Sequence, residues 1–272
     1  MYPPSSHHFH HTDVSCWSSQ LSCFETCWTI FGRLDFCALN AGIDDRDDIF
    51  NSVGAGVGGG ELPKKPDMTT FEVNLFGPYY GVKLAAHYMA KNTLLLDKNS
   101  AADKGIVVVG GGGKIIITAS DAGLWALPPV PQYTATKHGI IGLVRALAPS
   151  ALTAANISIN AVAPALTPSN LAPPGLLDHY PQEALTKMET LMMAFDALGL
   201  FDRVGERGWG AMGPNGQVVE GRGDDIYFKE ELEKVGGKEV SRGEFFCFFL
   251  FLSFICLFFF AGVEEWNTDE FE

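Results

Sequence analysis

The sequence is short of positive charge. Nineteen lysines and arginines face thirty-two aspartates and glutamates, for a formal charge of −13. Nucleic acid and anionic membrane surfaces would repel such a chain, so neither is an expected partner. Cysteine is also scarce, six in 272 residues, at positions 16, 23, 27, 37, 247 and 256. Cys23 and Cys27 share a helix face, where they read as small core residues rather than metal ligands. The histidines at 7, 8, 10 and 11 read as a strand remnant or a solvent-exposed cluster, so no metal is expected. No apolar N-terminal segment reads as a secretory signal, which makes the cytoplasm the expected compartment. Also lacking is a glycine turn between a strand and a helix, the device that receives phosphates. Gly54, Gly56 and Gly59 have the G-x-G-x-x-G spacing, but the pattern has meaning only between those two elements. Here it follows acidic residues 44–48 and precedes Pro63 and Pro66, so it reads as a flexible insertion. The glycines at 110–113 lead into a strand, and their spacing is not that of a phosphate loop.

What is present starts with Tyr133 and Lys137. Four residues apart on a helix, they lie on one face, one turn from each other. An ammonium ~4 Å from a phenol, at an effective dielectric of about 20, favours the phenolate by roughly 4 kcal/mol. That is up to about 3 pKa units, which would bring a tyrosine toward neutral pH. Such a tyrosine can trade a proton with an alcohol or ketone oxygen.

The surroundings of the pair read as strand, loop, helix, strand. Residues 114–120 form a β-branched run, a buried parallel strand ending at Ser120. Ligands bind at the carboxyl ends of strands in open α/β sheets. A loop with Gly123, Pro128, Pro129 and Pro131 follows. Residues 133–151 then read as a helix with Ile140, Ile141, Val144 and Leu147 on its apolar stripe. Residues 156–162 are the next strand, closed by Pro164. With 47% hydrophobic residues, the chain can bury one sizeable core.

On these residues the chain resembles the short-chain dehydrogenase/reductase family, most of all the fungal members similar to 15-hydroxyprostaglandin dehydrogenases. Further blocks agree in order. Asn40, Ala41 and Gly42 resemble the family's N-A-G motif, and Asn74 matches its helix asparagine. Residues 160–165 resemble N-x-V-x-P-G, with Ala165 in place of the glycine. Asp13 and Val14 resemble the D-V pair at the adenine edge. The resemblance implies an NAD- or NADP-dependent oxidoreductase that interconverts a secondary alcohol and a ketone. It implies four catalytic residues: Tyr133 as acid/base, Lys137 as its tuner and ribose contact, Ser120 on the substrate oxygen, and Asn74 holding a water that links Lys137 to solvent. It implies cofactor contacts from Asp13, Val14, Asn40, Ala41, Gly42, Tyr133, Lys137, Pro164, Thr167 and Ser169. Nothing in the sequence separates NAD from NADP.

The fold expected is α/β, a Rossmann-like doubly wound parallel sheet that lacks its first two strands and the glycine-rich turn. Residues 7–13 correspond to the third strand, residues 15–31 to a helix and 34–39 to the fourth strand. In the order 3-2-1-4-5-6 the third and fourth strands then stand about 14 Å apart. Residues 7–12 must either move over to pair or stay loose, and the fourth strand becomes an apolar edge. Weak cofactor binding and impaired activity follow as expectations. Residues 176–200 read as a substrate lid. Leu185, Met188, Leu191, Met192 and Phe195 form its apolar face, which is core or substrate wall. With Trp125 and Leu127 it suggests a small lipophilic alcohol or ketone. Residues 216–221 read as the last strand and 224–235 as a short charged helix.

Two domains are expected: 1–237, the incomplete NAD(P)-binding catalytic domain, and 238–272, an apolar tail. The stretch 245–263, with Phe245 at its start and Val263 at its end, carries no charge and approaches the length of a membrane span. Lys238 and Arg242 before it would keep the catalytic domain cytoplasmic, as a tail-anchored protein. The competing reading is a retained intron, because its Phe, Leu, Ser and Cys are what T-rich codons encode. The functional alternative is a catalytically inactive relative, membrane-attached or dimerising through the helices that bear Asn74 and Tyr133. The active form is read as a homodimer or homotetramer.

Overall fold

The computed structural model describes residues 7–49, 64–92, 112–172, 175–199 and 213–231. The glycine segment 54–60 and the apolar tail 245–263 lie outside these residues. Residues 1–230 cluster as one compact unit, which contains every element below.

The chain enters through residues 7–13 as irregular backbone. No strand forms there, so the expected third strand is not paired with its neighbour. His10 instead bonds Thr12 and Ser22. Helix α1 runs Trp17–Phe31 and stops at Gly32, whose φ of 68° supplies the left-handed cap. Strand β1 is Phe36–Leu39. A three-residue turn, Thr69–Phe71, and a π turn, Glu72–Phe76, lead into helix α2, Gly77–Met89. Strand β2 is Gly113–Thr118, helix α3 is Pro131–Ala155 and strand β3 is Ile157–Pro164. Helix α4, Met188–Ala197, precedes strands β4, Val218–Arg222, and β5, Asp225–Lys229.

The five strands pair in chain order. The first four are parallel, as βαβ connections require. The fifth turns back antiparallel, with Val218 opposite Lys229 and Arg222 opposite Asp225. This corrects the expected charged helix over 224–235. Gly223 takes φ 59° at the first central position of a two-residue hairpin turn, the conformation primed turns need.

Alternation along the strands divides the core. Ile115, Ile117, Ile157, Ile159, Ala161 and Ala163 face α2 and α3, where they meet Met89, Ile140 and Val144. Ile116, Val162 and Val219 face the other way, onto Ala194 and Leu198 at α4. Helices therefore cover both faces, the doubly wound arrangement. Helix α3 is long and apolar enough to cross a membrane by length and composition, but its buried stripe is the centre of this core.

Candidate active site

The site forms where parallel strands β1, β2 and β3 end. Ser120 lies two residues past β2, in extended backbone, and caps the 3-10 turn Asp121–Gly123. Its Oγ accepts from the Ala122 amide at 3.1 Å and donates to Asp121 Oδ1 at 3.1 Å. The turn lies hard against helix α3. A Cβ on Gly123 would stand 2.6 Å from the Lys137 carbonyl oxygen, so any side chain here would push Ser120 away from the helix.

Tyr133 and Lys137 stand on the first turns of α3. Pro131 opens the helix, where its missing N–H costs nothing. Lys137 is buried, and its ammonium donates to the Thr118 carbonyl at 2.8 Å. The same nitrogen lies over the Tyr133 ring, 5.3 Å from its centroid. Burial drives the Lys137 pKa down from 10.5 to about 8. The Tyr133 phenol is pushed above its ordinary value, chiefly by burial. A hydrogen bond with Ser120 pulls it back, and the Asp121 and Asp44 charges raise it further. This corrects the expectation that Lys137 draws the phenol toward neutrality in the protein alone. The ammonium sits over the ring face, and burial penalises both charged forms.

Asn74 projects from the π turn Glu72–Phe76 and is 1% exposed. Its Oδ1 accepts from the Ile43 amide and its Nδ2 donates to the Ile43 carbonyl, both at 2.8 Å. Nδ2 also reaches Thr136 Oγ1 at 3.4 Å. The side chain thus clamps the loop after β1 onto α3. A π turn repositions one residue relative to a regular helix and is common at functional sites.

The clamp brings Gly42 to the centre. A Cβ there would lie 3.4 Å from Asn74 Oδ1 and 3.6 Å from Lys137 Nζ. Asn40 and Ala41 beside it are exposed, and Asn40 Oδ1 accepts from Thr118 Oγ1 at 2.8 Å. On the β3 side the Pro164 carbonyl accepts from Ser120 Oγ at 3.5 Å, and Thr167 donates to the Ala165 carbonyl. Ser169 lies further along the same loop, its Oγ accepting from the Leu171 amide. The structure thus gathers Asn74, Ser120, Tyr133, Lys137 and Gly42 into one contiguous group. Asp13 and Val14 lie elsewhere, at the entry to α1. The Asp13 carboxylate accepts from the Ser15 amide and hydroxyl. The Val14 carbonyl accepts from Gln20, which ties it to Gly77 of α2.

Sequence reasoning missed Asp45, Thr118 and Thr136. The last two are hydroxyls that bond Asn40 and Asn74. Nothing in the local pattern marks them, because their partners are dozens of residues distant. The apolar face read over residues 185–195 now divides. Leu185 is buried, and Leu191 and Phe195 pack on the core. Met188 and Met192 are exposed, as are Trp125 and Leu127. An open cavity of about 530 Å³ lies beside Trp125, lined also by Glu220, Arg222, Tyr227 and Lys229. Its wall is therefore partly charged.

The short chain dehydrogenase family profile matches residues 4–174, well over half of the chain. The chain belongs to the short-chain dehydrogenase/reductase family. It is 27% identical over 206 residues to the short-chain dehydrogenase/reductase prx6 of Penicillium rubens, covering 76% of this chain and 63% of that protein. It is 29% identical over 154 residues to the NADP-dependent dehydrogenase clz5 of Cochliobolus lunatus, covering 56% and 51%. The 3-ketoacyl-(acyl-carrier-protein) reductase of Brucella melitensis, solved with NADH, superposes with a TM-score of 0.55 at 21% identity, covering 77% of this chain and 74% of that one. At that identity the likeness is one of fold. The chain spans between half and two thirds of the length of these two curated relatives.

Proposed function

We propose that the protein is an NAD(P)-dependent oxidoreductase that interconverts a secondary alcohol and a ketone. The carrying observation is the contiguous group of Ser120, Tyr133, Lys137 and Asn74 at the carboxyl ends of β1 to β3. The residues there fit the nicotinamide end of such a cofactor. Gly42 has no side chain beside Lys137 and Asn74, and exposed Asn40 and Ala41 adjoin it. Pro164, Thr167 and Ser169 offer a second wall. Relatives of this fold hold either dinucleotide, NADP by name in clz5 and NADH in the Brucella structure, and the proposal covers both. A bound nicotinamide supplies or accepts the hydride. The protein moves the proton. Tyr133 keeps its proton at neutral pH and donates it to the developing alkoxide of a ketone, or recovers it from an alcohol once the phenolate is stabilised. Ser120, steadied by Asp121 and Ala122, hydrogen-bonds the same oxygen. Lys137 holds the ring through its face and supplies the cation that makes phenolate formation cheaper.

Asp13 and Val14 are assigned to the adenine end by resemblance. No glycine turn at a helix N-terminus occurs among the described residues, and the proposal includes weak dinucleotide binding by the 272-residue chain. Titration with NADH and NADPH tests this; micromolar binding with turnover would contradict it. The substrate proposed is a small lipophilic alcohol or ketone, in keeping with exposed Trp125 and Leu127. Phe76 and Tyr79, 48% and 53% exposed near Asn74, support a homodimer or homotetramer through this helix. A cytoplasmic catalytic domain, 1–237, completes the proposal, with residues 238–272 as anchor or retained intron.

A further inference from the structure

We propose that Asp45 is a positioning residue for Tyr133, acting through the first turn of helix α3. The inference rests on the reading of Tyr133 as the acid/base group. A helix leaves its first N–H groups without partners inside the helix, and buried ones must be satisfied. In α3 the accounting closes. Pro131 has no N–H. The amides of Gln132 and Tyr133 both donate to the Asp45 carboxylate, one oxygen each. The Thr134 amide returns to the Val130 carbonyl. Val130, the residue at the cap position, offers no side-chain bond. The cap therefore comes from a loop 87 residues away in sequence, and it holds the acid/base residue by its own amide. A carboxylate also suits the positive end of a 25-residue helix.

The loop that carries Asp45 is tied down on both sides. Ile43 exchanges two hydrogen bonds with Asn74. The Asp44 carbonyl accepts from Thr70 Oγ1 at 3.0 Å. Gln132 Nε2 donates to the Asp67 carbonyl at 2.9 Å, and its Oε1 accepts from the Arg46 amide at 3.5 Å. Gly42 lies two residues before Ile43's neighbour Asp44, against Lys137. The strand-end loop and the Tyr133 turn thus form one rigid piece, with Asp45 as the joint. An asparagine keeps one acceptor oxygen and can serve one amide well. An alanine serves neither.

The test uses the full chain, labelled with 15N and with 13C in the tyrosine ring, as wild type, Asp45→Ala and Asp45→Asn. In Asp45→Ala the Gln132 and Tyr133 amides should exchange with solvent at least tenfold faster, while those of Ile140 and Ile141 stay within twofold. Replacing Ser120 by Ala should shift the Tyr133 ring signal clearly in wild type and less than a third as much in Asp45→Ala. Asp45→Asn should fall between the two, and it carries the test alone should the alanine variant not fold. Unchanged amide exchange would overturn the cap. Freed amides with an undiminished Ser120 effect would overturn the positioning role and leave an ordinary helix cap. Neither result depends on turnover, so a protein with the cap intact and no dehydrogenase activity would count against the functional reading and not against Asp45.

Discussion

The two faces of the sheet are built differently. The face under α1, α2 and α3 buries an unbroken apolar cluster drawn from β2, β3, β4 and the helices. The face under α4 has a small apolar cluster and shares its space with buried polar groups. Ser158 and Asn160 alternate with the isoleucines of β3 and are 1% and 0% exposed. Asn160 is satisfied, donating to the Pro214 carbonyl and accepting from the Gln217 amide. Ser158 Oγ finds no hydrogen-bond partner among the described residues. The candidate catalytic side chains of α3 stand on the heavily packed face. Helix placement to within fractions of an ångström needs a core that cannot shift, and that is the face that supplies one.

The largest expected effect on stability is on the packed face. Ile159→Ala should cost about 2–5 kcal/mol in denaturant unfolding, toward the upper end because its neighbours cannot collapse into the gap. A cost under about 1 kcal/mol would break the contrast between faces.

Lys137 comes next, through pH. Its folded pKa, about 8, lies below the ordinary 10.5. Below pH 8 both states carry the ammonium, and the folded protein bears the whole cost of burying it. Between about 8 and 10.5 the unfolded chain keeps a proton that the folded chain has lost, so unfolding free energy rises with pH. The complete shift corresponds to roughly 3 kcal/mol at about 1.4 kcal/mol per unit. Lys137→Met should abolish that rise, measured by urea titrations on either side of pH 8. Tyr133, held up by burial, has the opposite sign: past about pH 10 the unfolded chain loses a phenol proton that the folded chain keeps, so unfolding free energy falls as pH rises.

Two smaller effects sharpen the contrast. Leu198→Ala, on the thin face, should cost about 2 kcal/mol, at the low end of its class, because the sparse surroundings can relax. Ser158→Ala should be neutral or stabilising by up to about 1 kcal/mol, since it removes a buried hydroxyl that has no partner among the described residues. Clear destabilisation by Ser158→Ala would show that the hydroxyl has a partner.

Much of this was legible in the chain. The isoleucines at 115–117 marked β2, the stripe Ile140, Ile141 and Val144 marked α3, and the four-residue spacing of Tyr133 and Lys137 put them on one face. Ser120 at a strand end completed the pattern. Strand β5 was hidden by its chemistry. Asp224, Asp225, Lys229 and Glu230 look like a solvated helix, and only pairing with β4 gives Tyr227 and Lys229 their places. In the sequence Asp45 is one member of an acidic run, and nothing marks it out because its partners lie 87 and 88 residues away. The height of Lys137 over the Tyr133 ring was also out of reach: spacing fixes the shared face, not whether an ammonium meets a hydroxyl or a π surface.

The most direct measurement is consumption of reduced nicotinamide with a panel of ketones. It compares the protein, preceded by the two strands, their helices and the glycine turn that the family resemblance implies, with the same extended chain carrying Tyr133→Phe. The account predicts turnover in the first and a loss of about 10²–10⁴-fold in the second, with unfolding unchanged. Equal turnover in both would contradict it.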